Sequence, residues 1–284
     1  MHDSNHVAVL DFGSQYTQLI VRRVRELGFF AKLYAIEDFP NLGNPGAIIL
    51  SGGPKSTGEH DAPDLDFEAL KAFNVPVLGV CYGMQLLNIK FGGSVEASNR
   101  REYGPANLFP AASVGLYEGI SACSQVWMSH SDTVKVLPEG AKVIASNQHG
   151  TPVSLQWDEL FFGIQYHPEV THSHEGLRIL KNFLGHARDL LPFRIDDFKR
   201  EMIDNIRETV GNRQVVCGVS GGVDSTTTSG WNSLSAALRS VRVGNSSCGS
   251  LSRRVVTASA LGSTPAMSVA PAFSAITRAQ CRPR

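Results

Sequence analysis

An α/β fold built on an open, mostly parallel sheet with flanking helices is what this 284-residue sequence predicts, and three observations predict it. Short apolar runs at residues 6–12, 29–36, 46–50 and 75–80 have the length and continuity of strands buried on both faces. Segments of helical period lie at residues 16–27 and 64–73. The two kinds of segment alternate along the chain, the order that crossover-connected parallel strands require.

The first run ends at Gly13-Ser14. Leu19, Ile20, Val24 and Leu27 then fall on one face of the helix predicted over residues 16–27, with Gly28 as its stop. Asp11-Phe12-Gly13 matches the metal-binding triplet of protein kinases, but no other kinase signature accompanies it. Residues 46–50 run into Ser51-Gly52-Gly53-Pro54, and residues 75–80 into Cys81 and a helix. After Gly92-Gly93 the pattern changes to shorter, alternating strands at residues 126–132, 142–146, 152–157 and 161–166, separated by turn residues such as Pro138-Glu139-Gly140. A closing helix is predicted over residues 176–184. Residues 185–197 read as a linker in which Pro192 interrupts any continuous helix. A new unit begins at residue 198 with a helix carrying Met202, Ile203, Ile206 and Val210 on one face, then a strand at residues 214–219. The expected domains are residues 1–188, 189–226 and 227–284.

A hydrophobic fraction of 42% suits a globular chain, and no apolar run approaches membrane-spanning length. The polar N-terminus lacks a basic patch followed by an apolar stretch, so a cytoplasmic protein is expected, with neither membrane nor nucleic acid as partner. The formal charge of zero is a composite. Residues 1–225 hold 19 basic against 26 acidic side chains, whereas the last 59 residues hold seven arginines and no Lys, Asp, Glu or His. That is atypical of a folded domain, so residues 227–284, rich in Ser, Ala and Arg, are expected to be a disordered tail, truncated or out of frame. Five cysteines without CxxC spacing argue for free thiols in a reducing compartment. His172 and His174 lack partners at ligand spacing, so no metal site is expected.

The chemistry concentrates where strands end. Gly79-Val80-Cys81-Tyr82-Gly83 places a cysteine on a tight strand-to-helix turn, where a hydrolase exposes its nucleophile and the helix N-terminus favours a thiolate. Residue type alone leaves a buried thiol equally open. Gln85 lies one helical turn further on, placed either to bind a polar substrate over the sulfur or to face solvent. In Ser51-Gly52-Gly53-Pro54 the backbone N–H groups of the Gly-Gly turn can face an oxyanion, or the segment is a plain turn. In His167-Pro168-Glu169 an extended chain would put imidazole and carboxylate on one side, as the base and orienting acid of a triad; a surface turn is the alternative. The loop Ser220-Gly221-Gly222-Val223-Asp224-Ser225, just past a strand, can cradle phosphate oxygens, although it lacks the Gly-Lys-Ser/Thr of a Walker loop.

Together these pieces resemble the class I glutamine amidotransferases. The segments Leu10-Asp11-Phe12-Gly13-Ser14-Gln15-Tyr16-Thr17-Gln18, Glu102-Tyr103-Gly104, Trp127-Met128-Ser129-His130-Ser131-Asp132 and Gln165-Tyr166-His167-Pro168-Glu169-Val170-Thr171-His172 are similar to the GMP synthetase branch of that family. The resemblance covers residues 7–226. It implies that Cys81 attacks the side-chain amide of glutamine, with His167 as base then acid and Glu169 orienting it. Backbone N–H groups of Gly53 and Tyr82 would form the oxyanion hole, and Gln85, Ser129, His130, Ser131 and Asp132 would hold the amino-acid end. It further implies that the 220–225 loop, with Ser220, Gly221, Gly222, Val223, Asp224 and Ser225, begins an α/β ATP-pyrophosphatase domain. That domain would use ATP and Mg2+ to aminate XMP to GMP, while the glutaminase step needs no cofactor.

The match stops at residue 226, where the family continues into a synthetase domain and a dimerisation domain; the family's dimer interface is therefore not expected in this chain. An active or latent glutaminase is the leading expectation. A non-catalytic glutamine- or partner-binding remnant, and a stand-alone subunit serving a separate synthetase chain, are the alternatives.

Overall fold

The computed structural model describes residues 5–211, 214–219, 241–248 and 251–259, which fall into two units, Met1–Arg194 and Ile195–Arg284. The first is a nine-stranded sheet in the order β2-β1-β3-β4-β9-β8-β7-β5-β6. Its parallel half comprises β1 (Val7–Asp11), β2 (Ala31–Ala35), β3 (Ala47–Leu50), β4 (Val77–Val80) and β9 (Phe161–Ile164). The other half is antiparallel: β5 (Ser94–Pro110), β6 (Ser124–Val136), β7 (Lys142–Asn147) and β8 (Pro152–Gln156).

Burial explains the difference in sequence pattern. Every residue of β3, β4 and β9 is buried, so these strands read as unbroken apolar runs. Alternate residues of β6 from Ser124 to Asp132 are buried, which gives its alternation. Helices cover both faces of the parallel half. Val7, Val9, Leu78 and Val80 pack with Ile20 and Val24 of α1 (Thr17–Glu26) and with Ile179, Leu180 and Phe183 of α4 (Gly176–Leu184). Ala8, Leu10, Ile48 and Leu50 share the opposite core with Leu70 of α2 (Phe67–Ala72) and Met84 and Leu87 of α3 (Tyr82–Lys90). Among the described residues, no helix is long and apolar enough to cross a membrane.

The structure departs from the sequence reading at four places. Strand β5 is an element the alternation does not reveal, because its pairing with β6 is broken by a register shift between Ala97 and Glu102. The segment expected to be a linker stays with the first unit through Arg194. Leu191 O accepts from Phe30 N at 2.8 Å, and Phe193 N donates to Gly28 O at 2.7 Å. His167-Pro168-Glu169 is a turn beyond the end of β9 rather than extended strand. Finally, the region expected to be a disordered tail contains two strands, β11 (Val241–Cys248) and β12 (Leu251–Ser259); the β-branched Val241, Val243, Val255 and Val256 suit extended backbone.

In the second unit, α5 (Ile195–Val210) is followed by β10 (Gln214–Val219), and the sheet order is β10-β12-β11 with antiparallel pairing. The loop of Ser220, Gly221, Gly222, Val223, Asp224 and Ser225 lies outside the described residues.

Candidate active site

Cys81 follows β4 as the residue preceding α3, with φ 53° and ψ −104°. Positive φ is costly for a residue with a side chain, and such strain concentrates at functional sites. Two glycines make the bend possible by letting backbones touch. A Cβ on Gly79 would lie 2.5 Å from the Gly83 carbonyl carbon and oxygen, and one on Gly83 would lie 2.5 Å from Leu50 O on β3. Gly-x-Cys-x-Gly is therefore an interlock of strand, turn and helix. The N–H of Cys81 donates to Ile164 O at 2.8 Å and that of Gly83 to Ser51 O at 3.1 Å. Between them, the N–H of Tyr82 is the first of its helix and has no intrahelical acceptor.

Parallel pairing of β4 with β9, Val80 opposite Ile164, brings the segment after β9 beside the elbow. There His167 and Glu169 are 3% and 1% exposed. His167 Nδ1 donates to Glu169 Oε1 at 2.7 Å, which leaves Nε2 for the sulfur of Cys81, itself 5% exposed. Burial alone would push the imidazole toward neutrality, but hydrogen bonds with Cys81 and Glu169 and the charges of both outweigh it, raising its pKa to about 10. Glu169 Oε2 is buried with no hydrogen-bond partner, so His167 is the one group paired with that carboxylate among the described residues. A buried carboxylate with a single partner favours a protonated partner.

The turn that carries the pair is held from outside. Ser173 Oγ donates to His167 O at 2.5 Å and accepts from Trp127 N at 3.0 Å. Arg23 Nε on α1 donates to Glu169 O at 2.8 Å. Tyr16 sets its ring edge-on to His167, centroids 5.2 Å apart.

On the other side of the sulfur lies the loop after β3. Gly52 packs between His167 and Cys81: a Cβ there would meet His167 Cε1 at 3.2 Å and Cys81 Cβ at 3.5 Å. Ser51 Oγ donates to Gly52 O at 2.9 Å, and planarity of the trans peptide directs the Gly53 N–H the opposite way. Gly53 and Tyr82 both line a cleft of about 410 Å3 that contains Cys81 and His167.

Ser129, His130, Ser131 and Asp132 on β6 form the facing wall of this cleft, and Gln85 on α3 lines it as well. Gln85 is buried, so the solvent-facing alternative does not hold. Its Nε2 donates to Asp132 O at 3.1 Å and to Gln165 Oε1 at 3.2 Å, within the protein. His130 Nδ1 donates to Asp132 O at 2.8 Å, while Nε2 lies 3.5 Å from Glu102 Oε2; burial holds its pKa below the usual value. The Asp132 carboxylate accepts from Ser56 Oγ. His172 and His174 are exposed, and no group of three or more His, Cys, Asp and Glu among the described residues could hold a metal ion.

Sequence reasoning assigned no role to Gln165, Ser56, Tyr16, Ser173 or Arg23. One signal was available for Gln165: a long amide directly after a fully apolar strand, two residues before the histidine.

A strained cysteine elbow, a buried His–Glu pair and a polar cleft come together at the carboxyl edge of a parallel sheet. The glutamine amidotransferase class-I family profile matches residues 8–187, and the chain belongs to that family. Among its relatives is the GMP synthase [glutamine-hydrolyzing] of Thermosipho africanus, 48% identical over 227 residues, covering 78% of this chain and 44% of that one. The enzyme of the same name from Nitratidesulfovibrio vulgaris (strain DSM 19637 / Miyazaki F) is 44% identical over 233 residues, covering 80% and 45%. The chain thus spans less than half the length of these curated relatives. The solved structure of a Thermoplasma acidophilum protein, described as a candidate GMP synthase subunit, matches with TM-score 0.58 at 27% identity, covering 72% of this chain and 100% of that one.

Proposed function

We propose that this chain hydrolyses glutamine to glutamate and ammonia through Cys81, His167 and Glu169. The observation that carries the reading is the buried Glu169–His167 pair set against a cysteine on a strained elbow that opens into a polar cleft. Cys81 Sγ, its proton passed to His167, attacks the side-chain carbonyl carbon of glutamine. The N–H groups of Gly53 and Tyr82 receive the developing oxyanion. His167 returns the proton to the departing nitrogen, ammonia leaves, and a glutamyl thioester remains. His167 then draws a proton from water, which attacks the thioester and releases glutamate. Ser129, His130, Ser131, Asp132 and Gln85 shape the subsite for the amino-acid end; Gln85 does so by holding Asp132 in place.

The likeness to GMP synthases supports a destination for the ammonia: ATP- and Mg2+-dependent amination of XMP to GMP, in purine nucleotide biosynthesis. The residues proposed to begin the ATP site, Ser220 to Ser225, lie outside the described residues, and no step is assigned to them. A second reading, in which the chain serves a separate synthetase chain as its amidotransferase, is favoured by one observation: 72% of this chain covers the full length of the Thermoplasma acidophilum protein.

The test is ammonia and glutamate release by the full chain, alone and with a synthetase domain, ATP and XMP. Cys81→Ala is expected to abolish release, and Glu169→Gln to lower kcat by at least about tenfold. Turnover retained in Cys81→Ala would remove the cysteine from its role. No release under either condition would favour a non-catalytic binding domain. GMP formed only when the synthetase domain is added would support the second reading.

A further inference from the structure

We propose that Gln165 is a further catalytic residue of this site: its amide N–H donates to the Cys81 sulfur and stabilises the thiolate, and Gln85 holds that amide in the donating orientation. The proposal rests on the reading of Cys81 as nucleophile given above.

The orientation follows from atoms whose roles are unambiguous. The backbone carbonyl of Asp132 can only accept, so the Gln85 atom 3.1 Å from it must be the amide nitrogen. That same nitrogen lies 3.2 Å from the Gln165 side chain, so the atom it meets there must be the carbonyl oxygen. Gln165 is thereby forced to turn its NH2 group toward the sulfur, 3.7 Å away, a hydrogen bond to sulfur in length. Gln165 is 2% exposed, and its backbone N–H donates to Val153 O at 2.8 Å, so the side chain starts from a fixed point. The sulfur also faces Ser129 O at 3.6 Å, which accepts only. The two contacts serve different protonation states. The neutral thiol can donate to Ser129 O; once its proton passes to His167, the sulfur keeps the electron pair and accepts from Gln165. Because the Gln85 amide is anchored on Asp132, the wall that would receive substrate and the donor that holds the thiolate share one chain of hydrogen bonds.

The titratable groups around the sulfur are His167 with Glu169 behind it, His130 and Asp132 on β6, Tyr16, Tyr82 and Tyr103, and Lys55. A test must therefore separate Gln165 from His167. The pH dependence of Cys81 alkylation by iodoacetamide does so in the full chain, with Cys81→Ala as the blank, because it reads the thiolate without requiring turnover. In Gln165→Leu the midpoint is expected to rise by about one pH unit, and kcat for glutamine to fall about tenfold with little change in KM. Gln165→Glu keeps the shape, places a negative charge at the sulfur, and is expected to raise the midpoint further. Gln85→Leu leaves Gln165 intact but frees its amide, and is expected to give a smaller rise in the same direction. Midpoints within about 0.3 unit of the parent in these variants would overturn the proposal, including the case in which kcat falls. Glutamine turnover retained in Cys81→Ala would instead strike the underlying reading, so the two failures are distinguishable.

Discussion

Gly83→Ala adds one methyl group at the point where the elbow is tightest. The new Cβ would sit 2.5 Å from Leu50 O, 2.8 Å from Leu50 Cβ and 3.0 Å from Leu50 C. Ordinary contacts are about 3.5 Å or longer, so the helix and strand must separate by about 1 Å. Neither neighbour can yield cheaply. Leu50 is fully buried at the end of β3, and the Gly83 N–H is bonded to Ser51 O at 3.1 Å, so the shift strains the same join it opens. Overpacking of this kind costs about 1–3 kcal/mol. The helix that moves begins one residue after the cysteine and carries the Tyr82 N–H. A displacement of about 1 Å in reacting groups can lower turnover about 100-fold. The assay pairs urea unfolding with glutamine hydrolysis, using Gly58→Ala as the control because a Cβ on exposed Gly58 meets nothing within 4 Å. The control should match the parent in both measurements. A Gly83→Ala protein with stability within about 0.5 kcal/mol of the parent and undiminished kcat would refute the claim that glycine is required there by close backbone approach.

Two further outcomes follow from the His167 turn. Ser173→Ala removes the hydroxyl that bridges Trp127 N and His167 O, and should cost about 1–3 kcal/mol in denaturant unfolding, with kcat reduced more than KM is raised. The His167 pKa is raised from 6.5 to about 10, so the imidazolium contributes its stability in full below pH 6.5 and loses it as pH rises through 10. Parent stability should therefore decline by on the order of a few kcal/mol across that window relative to His167→Gln, as read by urea midpoints at pH 6, 8 and 10; parallel pH profiles would contradict it.

The parallel half of the sheet was legible because its strands are buried on both faces, which writes them into the sequence as unbroken runs such as Ala47–Leu50 and Val77–Val80. The elbow was legible for a different reason: close approach admits only glycine at residues 79 and 83. Strand β5 was not, because its bulged pairing with β6 and its Arg-Arg and Gly-Pro steps erase the alternation. His167 and Glu169 were correctly expected to lie side by side, but through the geometry of a strand. The structure joins them across a turn, with Ser173 and Arg23 fixing the carbonyls on either side of Pro168. Those supporting residues were invisible because their contacts depend on the fold: Arg23 reaches Glu169 from 146 positions away, and Ser173, six residues after His167, ties it to Trp127, 46 positions from the serine.

The site depends on register as much as on residue type. Gly79 stands opposite Gly163, Val80 opposite Ile164, and Cys81 N binds Ile164 O, so Cys81 leaves β4 at a fixed height relative to the segment carrying Gln165 and His167. A slip of one residue between these strands would reverse which face each side chain occupies and would turn the His–Glu turn away from the sulfur. The slip is opposed at both strands. Gly79 admits only the Gly83 backbone above it, and a Cβ at Gly163 would lie 2.6 Å from Trp157 Cη2 and 2.7 Å from Met84 Cγ. Moving either strand would replace a glycine with a larger residue in a space without room for one. The same packing that makes the core dense therefore sets Cys81, Gln165 and His167 at one height, and the strain at Cys81 is held by contacts that lie below the cleft rather than in it.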